Sequence, residues 1–181
     1  GEALQGLESL DESKRDKVWR KSVPFAHLSV ANACRGLGRR EEALEHYKTA
    51  KELYVACVDD KVPFFIPDAV LCFTARIELF APCEKPAALA EMKELAAFIR
   101  RTEDEGVLDN NDCRLCVFEV EMNAYQTMGM PEKAAETVRE ALRFVRERLS
   151  DEERAGEQFA RYISAFKNAE ASLCPSAAAG T

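Results

Sequence analysis

The pair Cys113-Arg-Leu-Cys116 has the spacing of a metal or redox motif. A tetrahedral zinc site needs two further ligands, and neither a histidine nor a second cysteine pair follows. A dithiol redox centre needs a strand-to-helix turn, whereas the flanking residues carry a helical period. The two cysteines therefore read as small apolar residues in the first turns of a helix. His27 and His46 are the only histidines, and neither lies near a serine or cysteine in a nucleophile motif. Gly36-x-Gly38 has too few glycines, and no preceding strand, for a phosphate-cradling loop; it reads as a helix end. Acidic residues mostly alternate with Lys and Arg, as solvated helix faces do. The expectation is a protein without catalytic residues, cofactor or metal.

Bulk properties narrow the partners. The chain has 181 residues, 47% hydrophobic and 31% charged, a globular balance that suits one domain with a sizeable core. Its formal net charge of −7 argues against duplex nucleic acid and anionic membrane surfaces. No apolar run has the length of a membrane span, and no charged-then-apolar leader opens the chain. Gly1 and the Ala177-Ala-Ala-Gly180 tail read as trimmed ends, so the chain is read as a piece of something longer. The 7 cysteines are odd in number and scattered through helical patterns, unlike an extracellular disulfide framework. Reduced, buried thiols and a cytoplasmic location are expected.

Capping and periodicity lay out the elements. Ser9-Leu-Asp-Glu12 is a capping box for an N-terminal helix carrying Leu7, Leu10, Val18 and Trp19. Within it Lys14-Arg15-Asp16-Lys17 reads as a solvated face and Trp19 as an anchor. Ser22-Val-Pro24 marks a helix boundary, because the residue before proline avoids helical angles. Helices are then expected over 24–36 and 39–58. Pro67-Asp68 opens a helix through Val70, Leu71, Phe73, Ile77 and Phe80, apolar on most sides and so interior. Its partner follows Pro86 with Ala88, Met92, Leu95 and Ile99. Asp109-Asn-Asn-Asp112 caps a helix to Met128, and Pro131 sits in the first turn of the next. Ser150-Asp-Glu-Glu153 opens a last helix with Phe159, Tyr162, Ile163 and Phe166, ended by Cys174-Pro175.

One phrase occurs twice. Leu37-Gly-Arg-Arg-Glu-Glu-Ala-Leu-Glu-His-Tyr-Lys-Thr-Ala50 returns as Met128-Gly-Met-Pro-Glu-Lys-Ala-Ala-Glu-Thr-Val-Arg-Glu-Ala141. Gly38 matches Gly129, Ala43 matches Ala134, Ala50 matches Ala141, and Val138 stands where Tyr47 stood. The copies are 91 residues apart (134 − 43), leaving room for a unit between them centred on Ala88. Recurrence at a fixed period is the mark of a solenoid. The phrase resembles the tetratricopeptide repeat (TPR) family, as a divergent member of long period. The resemblance covers Pro24 to Leu149 and is strongest in the outer copies. Val55 and Arg146 replace the proline that usually ends each repeat, and His27 replaces an aromatic that is Phe118 in the third.

The resemblance implies an all-α right-handed superhelix, spanning 1–174 as a single domain. It would hold three helical hairpins (signature 24–149), an N-terminal helix and a capping helix at 151–172; the small-residue tail at 175–181 reads as disordered. It also implies a concave groove, lined by the first helix of each hairpin, that binds a peptide or partner helix. Asn32 and Asn123 stand 11 residues before Ala43 and Ala134 (43 − 32 and 134 − 123), where the family commonly uses asparagine to hydrogen-bond a bound backbone. An amide has both donor and acceptor for that purpose. Leu28 and Arg35 flank Asn32, and Glu119 and Gln126 flank Asn123, on the same helical faces. Asparagine is also an ordinary surface residue, and that reading stays open. Leu28 and Glu119 occupy places where lysine would clamp a terminal carboxylate, which disfavours chaperone tails. The expected function is a protein-interaction module. The alternative is a scaffold subunit held in a larger assembly by its convex face or its ends, with Leu7 and Leu10 as candidate contacts.

Overall fold

The structure, a computed structural model, describes residues 17–60, 62–104 and 111–173. The expected start at Ser9, Leu7 and Leu10, the Lys14–Asp16 stretch, Asp109, Asn110 and the 175–181 tail lie outside the described residues, as does the Trp19 side chain. The described residues are all-helical. Helices run α1 Lys17–Gly36, α2 Arg40–Asp59, α3 Ile66–Phe80, α4 Lys85–Asp104, α5 Asn111–Thr127, α6 Pro131–Arg148, α7 Asp151–Ala155 and α8 Glu157–Leu173, with a 3-10 turn at Pro63–Phe65. None of the described helices is long and apolar enough to cross a membrane. The chain divides into two compact units, Gly1–Leu79 and Phe80–Thr181. The boundary cuts the expected middle pair, leaving α3 in the first unit and α4 in the second.

In the first unit α1 and α2 form a tightly packed hairpin. Gly38 has φ +72°, the left-handed conformation that costs a residue with a Cβ about 1–2 kcal/mol. The Arg39 amide donates to the Cys34 carbonyl at 2.9 Å and the Gly38 amide to the Arg35 carbonyl at 3.1 Å. Those two bonds are the Schellman pattern that satisfies the carbonyls left over at a helix end. Beyond the turn Ala43, Tyr47 and Ala50 are buried on the face toward α1. Small residues at both ends of that stripe let the helices approach closely, and the Tyr47 ring fills the space between.

Helix α3 lies against this hairpin. Cys72, Phe73 and Ile77 are buried, and so are Thr74 and Arg76. Buried cations need partners. Arg76 Nη1 donates to the Leu44 carbonyl at 2.7 Å, and Arg40 Nε donates to the Leu79 carbonyl at 3.1 Å. Lys51, also buried, sets its ammonium 4.6 Å from the Phe73 ring centroid, a cation–π contact. Pro24 departs from the expected boundary: α1 runs through it without a break. Proline removes one hydrogen bond to the carbonyl four residues back. Burial of Val23, Pro24, His27 and Leu28 on one side of α1 outweighs that local loss.

The second unit repeats the hairpin with α5 and α6. Gly129 has φ +69°, Met130 donates to the Tyr125 carbonyl at 2.8 Å, and Gly129 to the Gln126 carbonyl at 3.0 Å. Ala134, Val138 and Ala141 are each 0% exposed. Leu115, Phe118 and Met122 of α5 meet Val145 of α6 and Phe159, Tyr162 and Phe166 of α8 in one apolar core. Ala88, Met92, Leu95 and Ile99 of α4 are buried as expected. The Ala88 amide bonds the Glu84 carbonyl at 3.0 Å, as Ala43 bonds Arg39, but no glycine of positive φ precedes α4.

The last helix departs from expectation. The Ser150–Glu153 capping box forms as read, but it opens only the five-residue α7. Gly156 then takes an extended conformation (φ −67°, ψ 138°) before α8 begins. A Cβ there would lie 3.1 Å from the Glu153 carbonyl oxygen, so glycine relieves a tight turn.

At Gly38 and Gly129 an added Cβ meets nothing within 4 Å, so the cost of alanine is the backbone conformation alone. Gly38→Ala and Gly129→Ala are each expected to lower the unfolding free energy by about 1 kcal/mol in urea melts. Asparagine at either position should cost less. Full stability in both alanine variants would contradict the turn geometry.

Candidate functional site

Each unit presents its share of the expected binding residues differently. In the first, Asn32 and Arg35 are exposed on α1, one turn apart. Leu28, expected on the same face, is only 6% exposed and packs in the hairpin. It is a packing residue here, because a leucine gains more from the seam between α1 and α2 than from water. The Tyr47 hydroxyl donates to Asn32 Oδ1 at 2.6 Å, which fixes the side-chain amide. Its NH2 group therefore keeps two donors at the surface. Arg35 pairs with Glu78 of α3 at 2.7 Å and also hydrogen-bonds Tyr47. Burial pushes the Tyr47 phenol above its ordinary range, with Arg35 opposing. Tyr47 thus belongs both to the helix seam and to the polar face. The sequence pattern marked only the first role.

In the second unit Asn123 and Gln126 are exposed on α5, and Glu119 is half-buried one turn before. Arg161 of α8 lies 3.3 Å from the Glu119 carboxylate, partly neutralising it. Val138 stands where Tyr47 stands in the first unit, so Asn123 has no equivalent phenol. The two asparagines share a register but differ in support.

Cys113 and Cys116 lie in the first two turns of α5, Cys113 buried and Cys116 half-buried, both as free thiols. Burial pushes Cys113 up to about 11, with Asp112 and Cys116 adding to the shift. Burial also raises Cys116, with Glu119 and Asp112 adding. Thiolates are the reactive and metal-binding form, so both thiols are poor nucleophiles here. Among the described residues no group of three or more His, Cys, Asp or Glu side chains is arranged to hold a metal ion. His27 and His46 meet across α1 and α2, Nδ1 to Nδ1 at 3.0 Å, with His27 buried. One ring must donate and the other accept, so this pair is a polar link within the hairpin. A separation of 19 residues (46 − 27) hid it from motif reading.

Motif reading also passed over a polar cavity of about 200 Å³ between α5 and α6. Glu121 and Tyr125 line it from α5, and Lys133, Glu136 and Glu140 from α6. Burial raises the Glu121 carboxyl to about 7; Arg114 offsets part of that shift and Glu140 adds to it.

No family model matches the chain, and neither does any curated protein or solved structure.

The Glu121 environment has a measurable consequence. Its folded-state value lies above the ordinary 4.5, so the folded protein binds this proton more tightly than the unfolded chain. Stability is therefore expected to fall as pH rises from about 4.5 through about 7. Glu121→Gln should remove that slope and gain roughly 1–2 kcal/mol over wild type near pH 8, allowing for partial solvent access. Urea melts at about pH 5 and about pH 8 test this, and an unchanged slope in the variant would contradict it.

Proposed function

We propose that this chain is a protein-interaction module, which binds an extended peptide or partner helix through exposed polar faces of α1 and α5. One observation carries the reading. Two hairpins with the same left-handed glycine turn and the same buried alanines each offer an exposed asparagine at the same register, Asn32 and Asn123. A rigid scaffold that presents polar side chains at repeated positions suits binding better than chemistry. On the first unit Asn32 and Arg35 would engage a ligand, and on the second unit Asn123 and Gln126 would. Glu119 would act as a charge held by Arg161, and Leu28 as packing beneath the face. In this reading the hairpins are turns of a TPR-like right-handed superhelix, with α8 as its cap. The buried free thiols suit a reducing, cytoplasmic setting.

A second reading, a scaffold subunit of a larger assembly, is favoured by exposed apolar residues in the first unit. Phe25, Leu37, Phe64 and Leu71 all face solvent there, and Phe64 is 71% exposed. Large apolar side chains exposed in this number suit contact with a neighbour.

The double variant Asn32→Ala, Asn123→Ala separates the two readings. It is expected to weaken partner capture in pull-down by at least about tenfold, the worth of one or two lost hydrogen bonds. Its circular dichroism melt should stay within a few degrees of wild type. Undiminished capture would contradict binding through these faces and favour the scaffold reading.

A further inference from the structure

A second surface lies on the opposite helix of the α5–α6 hairpin, where α6 packs against α8. A cavity of about 370 Å³ opens between these helices, with Leu142, Val145 and Ile163 among its lining. Arg146, Arg154 and Lys167 line the same cavity, against one acid, Glu170. In a chain of net charge −7, three cations around an apolar floor stand out.

The cations are not all spent on the fold. Arg154 is held in place: its guanidinium donates to the Arg146 carbonyl at 3.3 Å and pairs with Asp151. Among the described residues, Arg146 and Lys167 have no ion-pair partner. Arg146 is exposed on the last turns of α6, and Lys167 is exposed on α8.

The seam continues beyond this cavity. A second cavity of about 370 Å³, lined by Pro131, Glu132, Ala135 and Arg139 of α6 and Leu173 of α8, lies along the same two helices, its one acid set against one cation. From Pro131 to Arg146 the furrow follows α6 for roughly 20 Å at 1.5 Å per residue. That length suits a chain-like ligand, because a point anion would use only the Arg146–Lys167 end.

We propose that the α6–α8 furrow binds an acidic peptide segment in which apolar side chains alternate with carboxylates. The apolar side chains would cover Leu142 and Ile163. The carboxylates would meet Arg146 and Lys167, with Arg154 pre-positioned beside them; arginine suits this through its planar fork of donors. The site is separate from the Asn32 and Asn123 faces and does not depend on them.

Fluorescence anisotropy tests it with a fluorescein-labelled ten-residue probe that alternates glutamate and leucine. The wild-type chain should bind this probe saturably, and more weakly as salt rises. Arg146→Gln with Lys167→Gln, both at exposed positions, should weaken binding by at least about tenfold while keeping the helical circular dichroism spectrum. Probes with serine for leucine, or glutamine for glutamate, should each bind about tenfold more weakly or worse. The Asn32→Ala, Asn123→Ala protein should bind as wild type does. No saturable binding, equal binding by the Arg146/Lys167 variant, or equal binding of the serine probe would overturn the proposal. A parallel loss in the asparagine variant would place the probe elsewhere and overturn it as well.

Discussion

The close crossing of two helices behind a left-handed glycine is the constraint on which each unit depends. At Gly38 and Gly129 the chain reverses with positive φ, and two backbone hydrogen bonds tie off the helix end. The reversal sets where the next helix begins, and so which of its residues meet the first. Ala43 and Ala50, like Ala134 and Ala141, are 0% exposed. Larger side chains at those places would force the helices apart, since packed interiors tolerate added volume poorly. The surrounding elements then use what this close approach leaves. In the first unit α3 docks through arginine hydrogen bonds to backbone carbonyls and a buried lysine over Phe73. In the second α8 supplies the aromatic half of the core.

Much of this was legible in the sequence because it is local. A glycine turn, a proline at a helix start and a Ser150–Glu153 capping box act within a few residues, and each formed where its pattern placed it. Departures came where tertiary packing competed with local preference. Pro24 lies inside α1 because one helix side is buried around it. Gly156 splits the last helix, since a lone glycine reads equally as a tolerated interior residue. Repeat register places Leu28 on an open face, but apolar burial draws it into the seam. The middle pair shows the limit of register alone. Ala88 is buried like its counterparts, yet no left-handed glycine precedes it and the unit boundary falls between its helices.

Long-range polar contacts were not legible at all. Tyr47 with Asn32, His27 with His46 and Arg161 with Glu119 join residues 15, 19 and 42 apart. No short motif encodes such separations. They also show how the hairpin supports the residues proposed to bind. Tyr47 is buried in the seam, and its hydroxyl reaches out to hold an exposed amide. The residues that identify the fold and those that would meet a partner are thus distinct sets, joined by a few side chains such as Tyr47 and Arg161. The polar α1 and α5 faces and the α6–α8 furrow differ in chemistry. The first offers amide donors and acceptors, and the second offers cations above an apolar floor.

Hydrogen exchange read residue by residue tests most directly whether the two hairpin seams hold the molecule. The amides of Tyr47 and Ala50 in the first unit, and of Val138 and Ala141 in the second, should exchange most slowly in their units. These amides are the best shielded from local opening. If the slowest exchange instead falls on α3 and α4, or if the seams exchange as fast as the helix ends, the glycine-closed hairpins are not what the fold is built upon.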